Sequence, residues 1–522
     1  MRRRDSKFGT RLTIGRRSFL QGAGLLALPE VVPALSAHSY LSVSPVKGRL
    51  TIETDGPARL EVRDAAGGMF QPVGAVVDPR SANPGVGKDS PYWRHFTSTG
   101  SATLELPPGR YTVIAEKGLE YQRVESTVDV SADHTVRMAP HRWVHMASKG
   151  WWSADFHIHR PPEQAELLLK AEDLNLGVFF TVWNDRNLWR DKEPPTDPTL
   201  RADAQHIATL MNAEDERGGG AWMLHNLKKP PSLAAKYWYP QGRVFVDKAK
   251  EQGAWFDSEK PIWWEVPVMA AIEHIDSMGV VHNHYNQYGM VDDEAWGRPR
   301  DQKIYPGKLG FSSYSQSIYH RFLNLGFRLP ASAGSASGVL PGPPGYNRIY
   351  VFSPEPFSVE GFYSALKAGR GFVTNGPILS LTVNGKVAGD TVEVQPGRPL
   401  NVRVGVQARE PVSQIEVIAN GRVVASAADS KLETEITPRN HTWLCARCTL
   451  ITTATIRFAH TNPIFLKNNM ANWDAAEDKN YFLKWIDDLI AETEASTNRF
   501  DTVEEKSEVL AIYRAARNRY LA

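Results

Sequence analysis

The sequence predicts a mixed α/β protein in which an α/β domain lies between two all-β modules and a helical tail follows. Alternating apolar and polar residues with frequent turn formers mark residues 38–145 and 379–465, which is typical of half-buried strands. Short apolar runs alternate with helical patterns over residues 146–378, which is typical of β-α units in a layered or barrel fold. An apolar stripe at helical spacing marks residues 466–522, as on a helix packed against a core.

Length and composition agree with a folded chain of several domains. The 522 residues exceed what one hydrophobic core usually holds. The apolar fraction of 42% and the charged fraction of 23% are those of ordinary globular proteins. Two cysteines exclude a disulfide scaffold.

Residues 1–37 are predicted to be a twin-arginine signal peptide. Arg16 and Arg17 precede Ser-Phe-Leu, a short apolar stretch follows, and the segment ends in a small-residue cleavage pattern at Ala37. We therefore expect a periplasmic or secreted protein. The alternative, an ordinary amphipathic N-terminal helix, is less favoured by this pattern.

The charge of the mature chain indicates few classes of partner. The formal charge is +2, but the first 37 residues contain seven basic and two acidic residues, so the remainder is close to −3. No basic run follows, so we expect no nucleic-acid binding. No apolar run of 18 residues follows either, so we expect no integral membrane segment in the mature chain. Nothing in the sequence indicates a protein partner.

The first β-module, residues 38–145, is predicted to be a small β-sandwich. Its alternating runs are separated by turn formers such as Asp55-Gly56 and Gly67-Gly68. The stretch Leu106-Pro-Pro-Gly-Arg-Tyr111 resembles the hairpin of transthyretin-like accessory modules.

The middle domain, residues 146–378, is predicted from its alternating patterns. The predicted helices cover residues 165–171, 200–215, 266–278 and 315–325. The predicted strands cover residues 177–182, 220–224, 279–281, 349–352 and 371–373. Functional residues of such a domain belong at the carboxyl ends of its strands.

The second β-module, residues 379–465, carries hairpin signals at Asn384-Gly385 and Asn420-Gly421. Cys445 and Cys448 lie in a strand-like stretch, where residues three apart face opposite sides, so a local disulfide is disfavoured. In the tail, Thr502 and Glu505 form a capping box that opens the last predicted helix.

Two histidine pairs carry the chemistry of the middle domain. Asp155, His157 and His159 share one face of a predicted strand. His282 and His284 directly follow the predicted strand 279–281. Imidazoles converging at strand ends can hold one cation, with a carboxylate completing the shell or fixing a tautomer. Two such pairs favour a metal site over structural histidines.

The segment around the first pair resembles a known family. Gly150-Trp-Trp-Ser-Ala-Asp155 followed by His157 and His159 resembles the opening motif of the polymerase-and-histidinol-phosphatase (PHP) metallohydrolases. Residues 333–338, 345–351 and 368–377 resemble the carbaryl-hydrolase-like (CehA/McbA) branch. The resemblance implies a distorted (β/α)7 barrel with divalent metals at the carboxyl ends of its strands. It also implies hydrolysis of esters, carbamates or phosphoesters by metal-activated water.

The sequence departs from this family at two motifs. Thr181-Val-Trp-Asn184 stands where the family has Thr-Asp-His-Asn, and Ser335-Ala-Ser-Gly338 stands where it has Ser-Asp-Ala-His. The resemblance therefore implies fewer metals, and we expect one divalent cation, zinc or manganese, with an open position. Its predicted ligands come from His157, His159, His284, His282, Glu265 and Asp155.

We therefore expect an exported hydrolase acting on a small-molecule or glycan-like substrate. Glu265, His284 and Arg348 are predicted to have catalytic roles, Glu265 as ligand or base and Arg348 as a clamp on an anionic or carbonyl oxygen. For Arg348 a structural ion pair is an open alternative. The alternative function is a catalytically inactive protein that binds glycans or other polymers in a cleft lined by tryptophans, namely Trp151, Trp152, Trp183, Trp263 and Trp264.

Overall fold

Two β-sheets share one core in the N-terminal part of the chain. The computed structural model describes residues 48–77, 95–272, 274–340, 342–395, 397–452, 455–467 and 473–522. One sheet has the order β6-β1-β9, and the other has the order β4-β5-β2-β7-β8 with β3 beside β2. The strands are β1 Gly48–Glu53, β2 Ala58–Asp64, β3 Met69–Phe70, β4 Val76–Val77, β5 Phe96–Ser98, β6 Ser101–Leu106, β7 Gly109–Glu116, β8 Val124–Val130 and β9 His134–Arg137.

The Pro107-Pro108 connection differs from the hairpin expected of it. β6 pairs with β1, whereas β7 pairs with β2 and β8. The connection therefore leads from one sheet to the other. Tyr111 donates a hydrogen bond from its hydroxyl to Pro107 O (2.7 Å), which fixes this crossing.

The middle of the chain contains two sets of parallel strands. β10, β11 and β14 are parallel neighbours, and so are β16, β17 and β20. Antiparallel β15 joins the two sets. A parallel bridge from Ile158 to Ser337 connects the end of β10 with the segment after β20. The strands are β10 Trp151–Ile158, β11 Leu176–Trp183, β12 Arg186–Asn187, β13 Thr199–Arg201, β14 Ile207–Arg217, β15 Gly220–His225, β16 Trp255–Ser258, β17 Ser277–Val281, β18 Tyr285–Asn286, β19 Gly289–Met290, β20 Ala331–Ala333, β21 Arg348–Phe352 and β22 Gly371–Thr374.

Helices connect these strands. The helices predicted at residues 165–171 and 315–325 are confirmed, the second beginning earlier than predicted. The helix predicted over residues 266–278 is shorter than predicted and ends at Ala271, before the strand Ser277–Val281. The helices are α1 Ala165–Glu172, α2 Arg243–Lys250, α3 Val266–Ala271, α4 Gly307–Asn324 and α5 Val359–Lys367.

The helix predicted over residues 200–215 is wrong. The segment forms β13 and β14, with a turn between them in which Asp203 Oδ1 accepts hydrogen bonds from the backbone N–H groups of Gln205 and His206. β14 lies between strands on both sides, and nearly all of its residues are buried. A strand buried on both faces has a continuous apolar run, which periodicity does not separate from a buried helix.

The central sheet continues into the C-terminal β-module. β22 pairs with β30, so strands on both sides of residue 378 belong to one 17-stranded sheet. The hairpin predicted at Asn420-Gly421 joins β26 to β27, and Asn420 has the positive φ of 45° that such a turn requires. The strands are β23 Ile378–Val383, β24 Thr391–Glu393, β25 Leu400–Gln407, β26 Val412–Ala419, β27 Arg422–Ala427, β28 Lys431–Ile436, β29 Trp443–Leu450, β30 Phe458–Thr461 and β31 Ile464–Lys467.

The predicted helical tail is confirmed as two helices, α6 Ala476–Ala495 and α7 Val503–Leu521. Thr502 Oγ1 accepts a hydrogen bond from the backbone N–H of Glu505 (3.2 Å), as expected of the capping box. The Phe482 ring stacks on Phe322 of α4 with ring centres 4.2 Å apart. The tail thus covers the middle of the molecule with its apolar stripe.

The architecture is therefore a mixed α/β fold rich in sheet with C-terminal helices. The predicted signal peptide, residues 1–37, lies outside the described residues. Within the part of the chain that the structure describes, no helix combines the length and the apolar character needed to cross a membrane.

Candidate metal centre

Four parallel strands of the middle domain bring polar side chains to one edge of the sheet. His157 is the second-last residue of β10, and His159 directly follows that strand. Glu214 lies in the last third of β14. Glu259 follows β16, and His282 and His284 follow β17. Because neighbouring parallel strands end at the same edge of a sheet, these residues face a common region.

His157, His159 and Glu214 form a compact group of possible metal ligands. The Nε2 atoms of the two imidazoles are 2.9 Å apart. Glu214 Oε2 lies 2.8 Å from Nε2 of His159 and 3.6 Å from Nε2 of His157. Ligands bound about 2.0–2.2 Å from a zinc ion are about this far from each other. The geometry therefore suits one cation.

Several atoms around this group are buried and have no hydrogen-bond partner among the described residues: His157 Nδ1, Glu259 Oε1 and His284 Nδ1. Leaving such atoms unpaired in a protein interior costs about 1–3 kcal/mol each. A cation and its bound water would satisfy ligand atoms of this kind. The unpaired atoms thus fit a metal centre, and fit a closed hydrogen-bond network poorly.

The charges in the group favour a bound cation. Burial raises the pKa of Glu214, but the neighbouring imidazoles of His157 and His159 outweigh this effect and hold it well below its usual range. Burial lowers the pKa of His157, yet the Glu214 and Glu259 carboxylates together raise it to about 10, whereas the pKa of His159 stays lowered by burial. The negative charge of Glu214 favours one positive charge among the two imidazoles. A metal ion can supply this charge in place of a proton.

A buried ion pair, Glu259 with Lys260, adjoins the group. Glu259 Oε1 lies 3.7 Å from Nδ1 of His157, and its other oxygen accepts a hydrogen bond from Trp263 Nε1 (3.2 Å). Lys260 donates to Glu259 and lies over the Trp263 ring, 4.4 Å from its centre. Burial raises the pKa of Glu259, but the ammonium of Lys260 and the His157 ring together outweigh this and lower it. Glu259 is therefore an ionised neighbour of the candidate ligands.

Glu216 provides a carboxyl group that titrates near neutrality. It lies two residues after Glu214 on β14, and its Oε2 accepts a hydrogen bond from Trp183 Nε1 (2.9 Å). Burial and the Glu214 charge raise its pKa to about 7. A carboxyl group with such a pKa can exchange a proton under ordinary conditions, as general acid–base catalysis requires.

A cleft of about 660 Å³ opens beside His159. Phe180 and Trp183 form an aromatic wall, and the Trp183 ring lies 4.7 Å from the His159 ring, centre to centre. Asp185 and Arg186 also line the cleft. The volume is in the range of pockets for small organic ligands. Of the five tryptophans predicted to line a cleft, Trp183 is the one that lines this cleft.

Asp155 lies next to the candidate centre, but its carboxylate accepts hydrogen bonds from backbone and serine groups instead of facing the ligand atoms. Its Oδ1 accepts hydrogen bonds from the backbone N–H groups of His157 (2.9 Å) and Ser335 (3.0 Å). Its Oδ2 accepts from Ser335 Oγ (2.5 Å) and from the N–H of Gly345 (2.6 Å). Because it accepts four hydrogen bonds, this carboxylate fixes the position of β10 against the segment after β20.

The structure does not bring Glu265 to the histidines. Glu265 precedes α3, and its carboxylate accepts hydrogen bonds from Gln241 Nε2 (2.8 Å) and from the hydroxyl of Tyr513 on α7. Glu265 is therefore an anchor for the C-terminal tail, and the carboxylates at the candidate centre are Glu214 and Glu259.

The second histidine pair packs against α4. His282 Nε2 lies 3.2 Å from Ser315 Oγ, which gives this ring a hydrogen-bond partner. The His284 ring stacks on Phe311 with centres 5.4 Å apart, and its Nδ1 has no partner. Burial, and then the charge of Lys260, lower the pKa of both rings. His284 is thus the member of this pair with an atom free to bind a ligand.

Arg348 does not point its guanidinium at a substrate. It is fully buried and donates hydrogen bonds to the backbone carbonyls of Gly345 (2.7 Å), Glu172 (3.1 Å) and Asp173 (3.3 Å). These bonds tie the start of β21 to the end of α1. These contacts fit a structural role for Arg348, the alternative to the predicted clamp. The partners are backbone carbonyls, however, and not the carboxylates of an ion pair.

The residues predicted from the sequence do not include Glu214, Glu216, Glu259 and Lys260. Glu214 lies in the segment 200–215 that was predicted as a helix, and Glu216 directly follows that segment, so neither was considered as a strand-end ligand. Glu259 and Lys260 follow β16, four residues with two aromatics, Trp255–Ser258. A signal was present there, because Gly253 lies in the turn after α2, and an aromatic pair then precedes the charged pair.

Comparisons with known proteins assign no family. No family model and no curated protein matches the chain. It is similar to the minor pilin GBS52 of Streptococcus agalactiae at 18% identity and a TM-score of 0.13, over 19% of this chain and 46% of the pilin. It is similar to β-glucuronidase 2 of Bacteroides uniformis at 8% identity and a TM-score of 0.15, over 81% of this chain and 58% of the glucuronidase. The chain thus spans about half of the first and three fifths of the second, and such TM-scores give no information on function.

Proposed function

We propose that this protein is a hydrolase that holds one divalent cation through His157, His159 and Glu214. The observation that carries the proposal is the close approach of these three ligand atoms, 2.8–3.6 Å apart for the nearest pairs, beside unpaired buried atoms. Two imidazoles and one carboxylate leave a fourth position for water, as in catalytic zinc sites. This donor set favours zinc, and further oxygen ligands would favour manganese.

The residues around the centre have complementary roles. A cation bound here would lower the pKa of a water molecule and polarise a substrate oxygen. Glu259 faces Nδ1 of His157 and can hold its N–H, which orients the ring and directs the Nε2 lone pair inward. Lys260 places a fixed positive charge beside the centre, where negative charge develops during acyl or phosphoryl transfer.

Glu216 and the cleft complete the proposal. In its protonated form, Glu216 can donate a proton to a leaving group, because its pKa of about 7 keeps both forms populated near neutral pH. The cleft of about 660 Å³ with its wall of Phe180 and Trp183 suits a ring-bearing small molecule. The motif resemblance to the PHP metallohydrolases supports the same reaction class, namely cleavage of an ester, carbamate or phosphoester.

Hydrolysis of aryl esters, carbamates and phosphoesters tests the proposal. Wild-type protein loaded with zinc or manganese is compared with Glu214→Gln, which keeps the side-chain volume but removes the charge. We expect Glu214→Gln to lose metal and to lose activity at least about 100-fold. Glu265→Gln is the matched control, since Glu265 is equally buried but bound to the tail, and it should keep both.

Two outcomes would contradict this function. Activity in Glu214→Gln equal to that of the wild type would exclude Glu214 from the reaction. Bound metal without turnover in any of the three substrate classes would favour the alternative, a protein that binds a glycan or another ring-bearing ligand in the cleft.

A further inference from the structure

A second group of metal-ligating side chains lies outside the proposed hydrolytic centre. His320 on α4, Cys445 on β29 and His460 on β30 bring their ligand atoms within 4.8 Å of one another. Cys445 and His460 are fully buried and His320 is 5% exposed. The group lies where α4 packs on the C-terminal part of the 17-stranded sheet. Nothing in the proposed reaction uses it.

The His460 ring is oriented as a ligand. Its Nδ1 lies 2.7 Å from the carbonyl oxygen of Thr461, and because a carbonyl only accepts, Nδ1 carries the hydrogen. Its Nε2 therefore has a free lone pair. This lone pair faces Nε2 of His320 at 2.9 Å and Sγ of Cys445 at 3.5 Å. A backbone carbonyl that fixes the tautomer in this way is typical of metal-binding histidines.

A hydrogen-bonded explanation leaves one donor unmatched. The N–H of His320 and the S–H of Cys445 would both need the single lone pair of His460 Nε2. One cation among the three atoms uses all three lone pairs, and its ligand separations would be close to the 2.9 and 3.5 Å observed. The same Nε2–Nε2 distance of 2.9 Å occurs between His157 and His159.

The charges select the kind of cation. Within the described part of the chain, no carboxylate belongs to this group. The positive charge of Arg447 acts on all three side chains, although Arg447 is itself paired with Glu416. A divalent ion bound to one thiolate would leave a net positive charge in this dry interior, which is costly. A monovalent ion bound to one thiolate leaves none, and thiolate with imidazole suits soft ions.

We propose that His320, Cys445 and His460 form a buried site for one soft monovalent cation of the Cu(I) class. Binding forms the metal–sulfur bond, releases the Cys445 thiol proton to solvent and changes no oxidation state. Because the ligands come from α4, β29 and β30, the ion would fasten α4 to the sheet. The α4 residues Phe311 and Ser315 contact His284 and His282, so this fastening would also hold one wall of the hydrolytic centre.

Copper content tests the site independently of the proposed hydrolase. Protein carrying His157→Ala and His159→Ala, which removes the first centre, is produced in cells supplemented with copper or zinc and purified without oxygen. We expect about one copper per chain, and at least a tenfold loss when Cys445→Ser is added. Cys448→Ser is the matched control, since this buried thiol lies on the same strand but outside the group, and it should keep the copper.

X-ray absorption at the copper edge decides the case even if Cys445→Ser fails to fold. A shell of two nitrogens and one sulfur in the His157→Ala/His159→Ala protein supports the proposal. A shell without sulfur, absence of copper from folded protein, or equal copper with and without Cys445 overturns it. Selective loading with zinc instead of copper also overturns it, because the proposed site takes a monovalent ion.

Discussion

The contact between Glu265 and Tyr513 offers a sharp test of how the tail and the candidate centre are related. Glu265 is 3% exposed, Tyr513 is fully buried, and the tyrosine hydroxyl donates a hydrogen bond to the carboxylate. Hydrogen bonds to a charged group are worth about 1.5–3 kcal/mol when one partner is removed. Tyr513→Phe should therefore lower the free energy of unfolding by about 1.5–3 kcal/mol, measured by urea denaturation.

The double-mutant cycle sharpens this prediction. Glu265→Gln retains a partner for Gln241 and should cost less, and the Glu265→Gln/Tyr513→Phe pair should show a coupling free energy of about 1 kcal/mol or more. Neither change should alter metal content, because the contact lies away from the histidines. Additive effects would show that the contact contributes little. Loss of metal in Glu265→Gln would show that Glu265 is a ligand and would refute its assignment as a tail anchor.

Three further predictions concern titration and export. Burial raises the pKa of Asp257 to about 7. Protonated Asp257 therefore stabilises the fold fully at pH values below the pKa of this group in the unfolded chain. This contribution, about 4 kcal/mol at most, is lost as the pH rises toward 7. Asp257→Asn should flatten the fall in unfolding free energy between pH 4 and 8 in chelator, and an unchanged fall would contradict this. Glu216→Gln should slow hydrolysis at least 100-fold and remove the decline of kcat/KM as pH rises through about 7; a profile that keeps this decline would exclude Glu216 as the acid. Replacing Arg16 and Arg17 with lysine should leave uncleaved precursor in the cytoplasm, seen by fractionation, and normal export would show another route.

The sequence predicted the strands that have one simple signature. Gly177-Val-Phe-Phe-Thr-Val182 and Gly279-Val-Val281 are apolar runs bounded by glycine, and both are strands in the structure. Such runs are what parallel strands buried on both faces require. The histidines at the ends of β10 and β17 could therefore be placed at a common edge before the structure was known.

The carboxylates could not be placed in the same way. Residues 200–215 contain four alanines, two leucines and one methionine, which favour helix, and only the neighbouring strands make β14 a strand. This error hid Glu214. Glu259 and Glu265 stand six residues apart, and their separate environments depend on Tyr513, which is 248 positions from Glu265. No local pattern reports a contact over that distance.

Metal analysis of matched variants tests the central claim most directly. Protein carrying Cys445→Ser, so that the second group does not contribute, is loaded with zinc, separated from free ion by gel filtration and measured by mass spectrometry. We predict one zinc per chain, less than a tenth of that in His157→Ala/His159→Ala and in Glu214→Gln, and an unchanged value in Glu265→Gln. Folded protein that binds no zinc or manganese, or binds it equally in the Glu214 and Glu265 variants, would contradict the account.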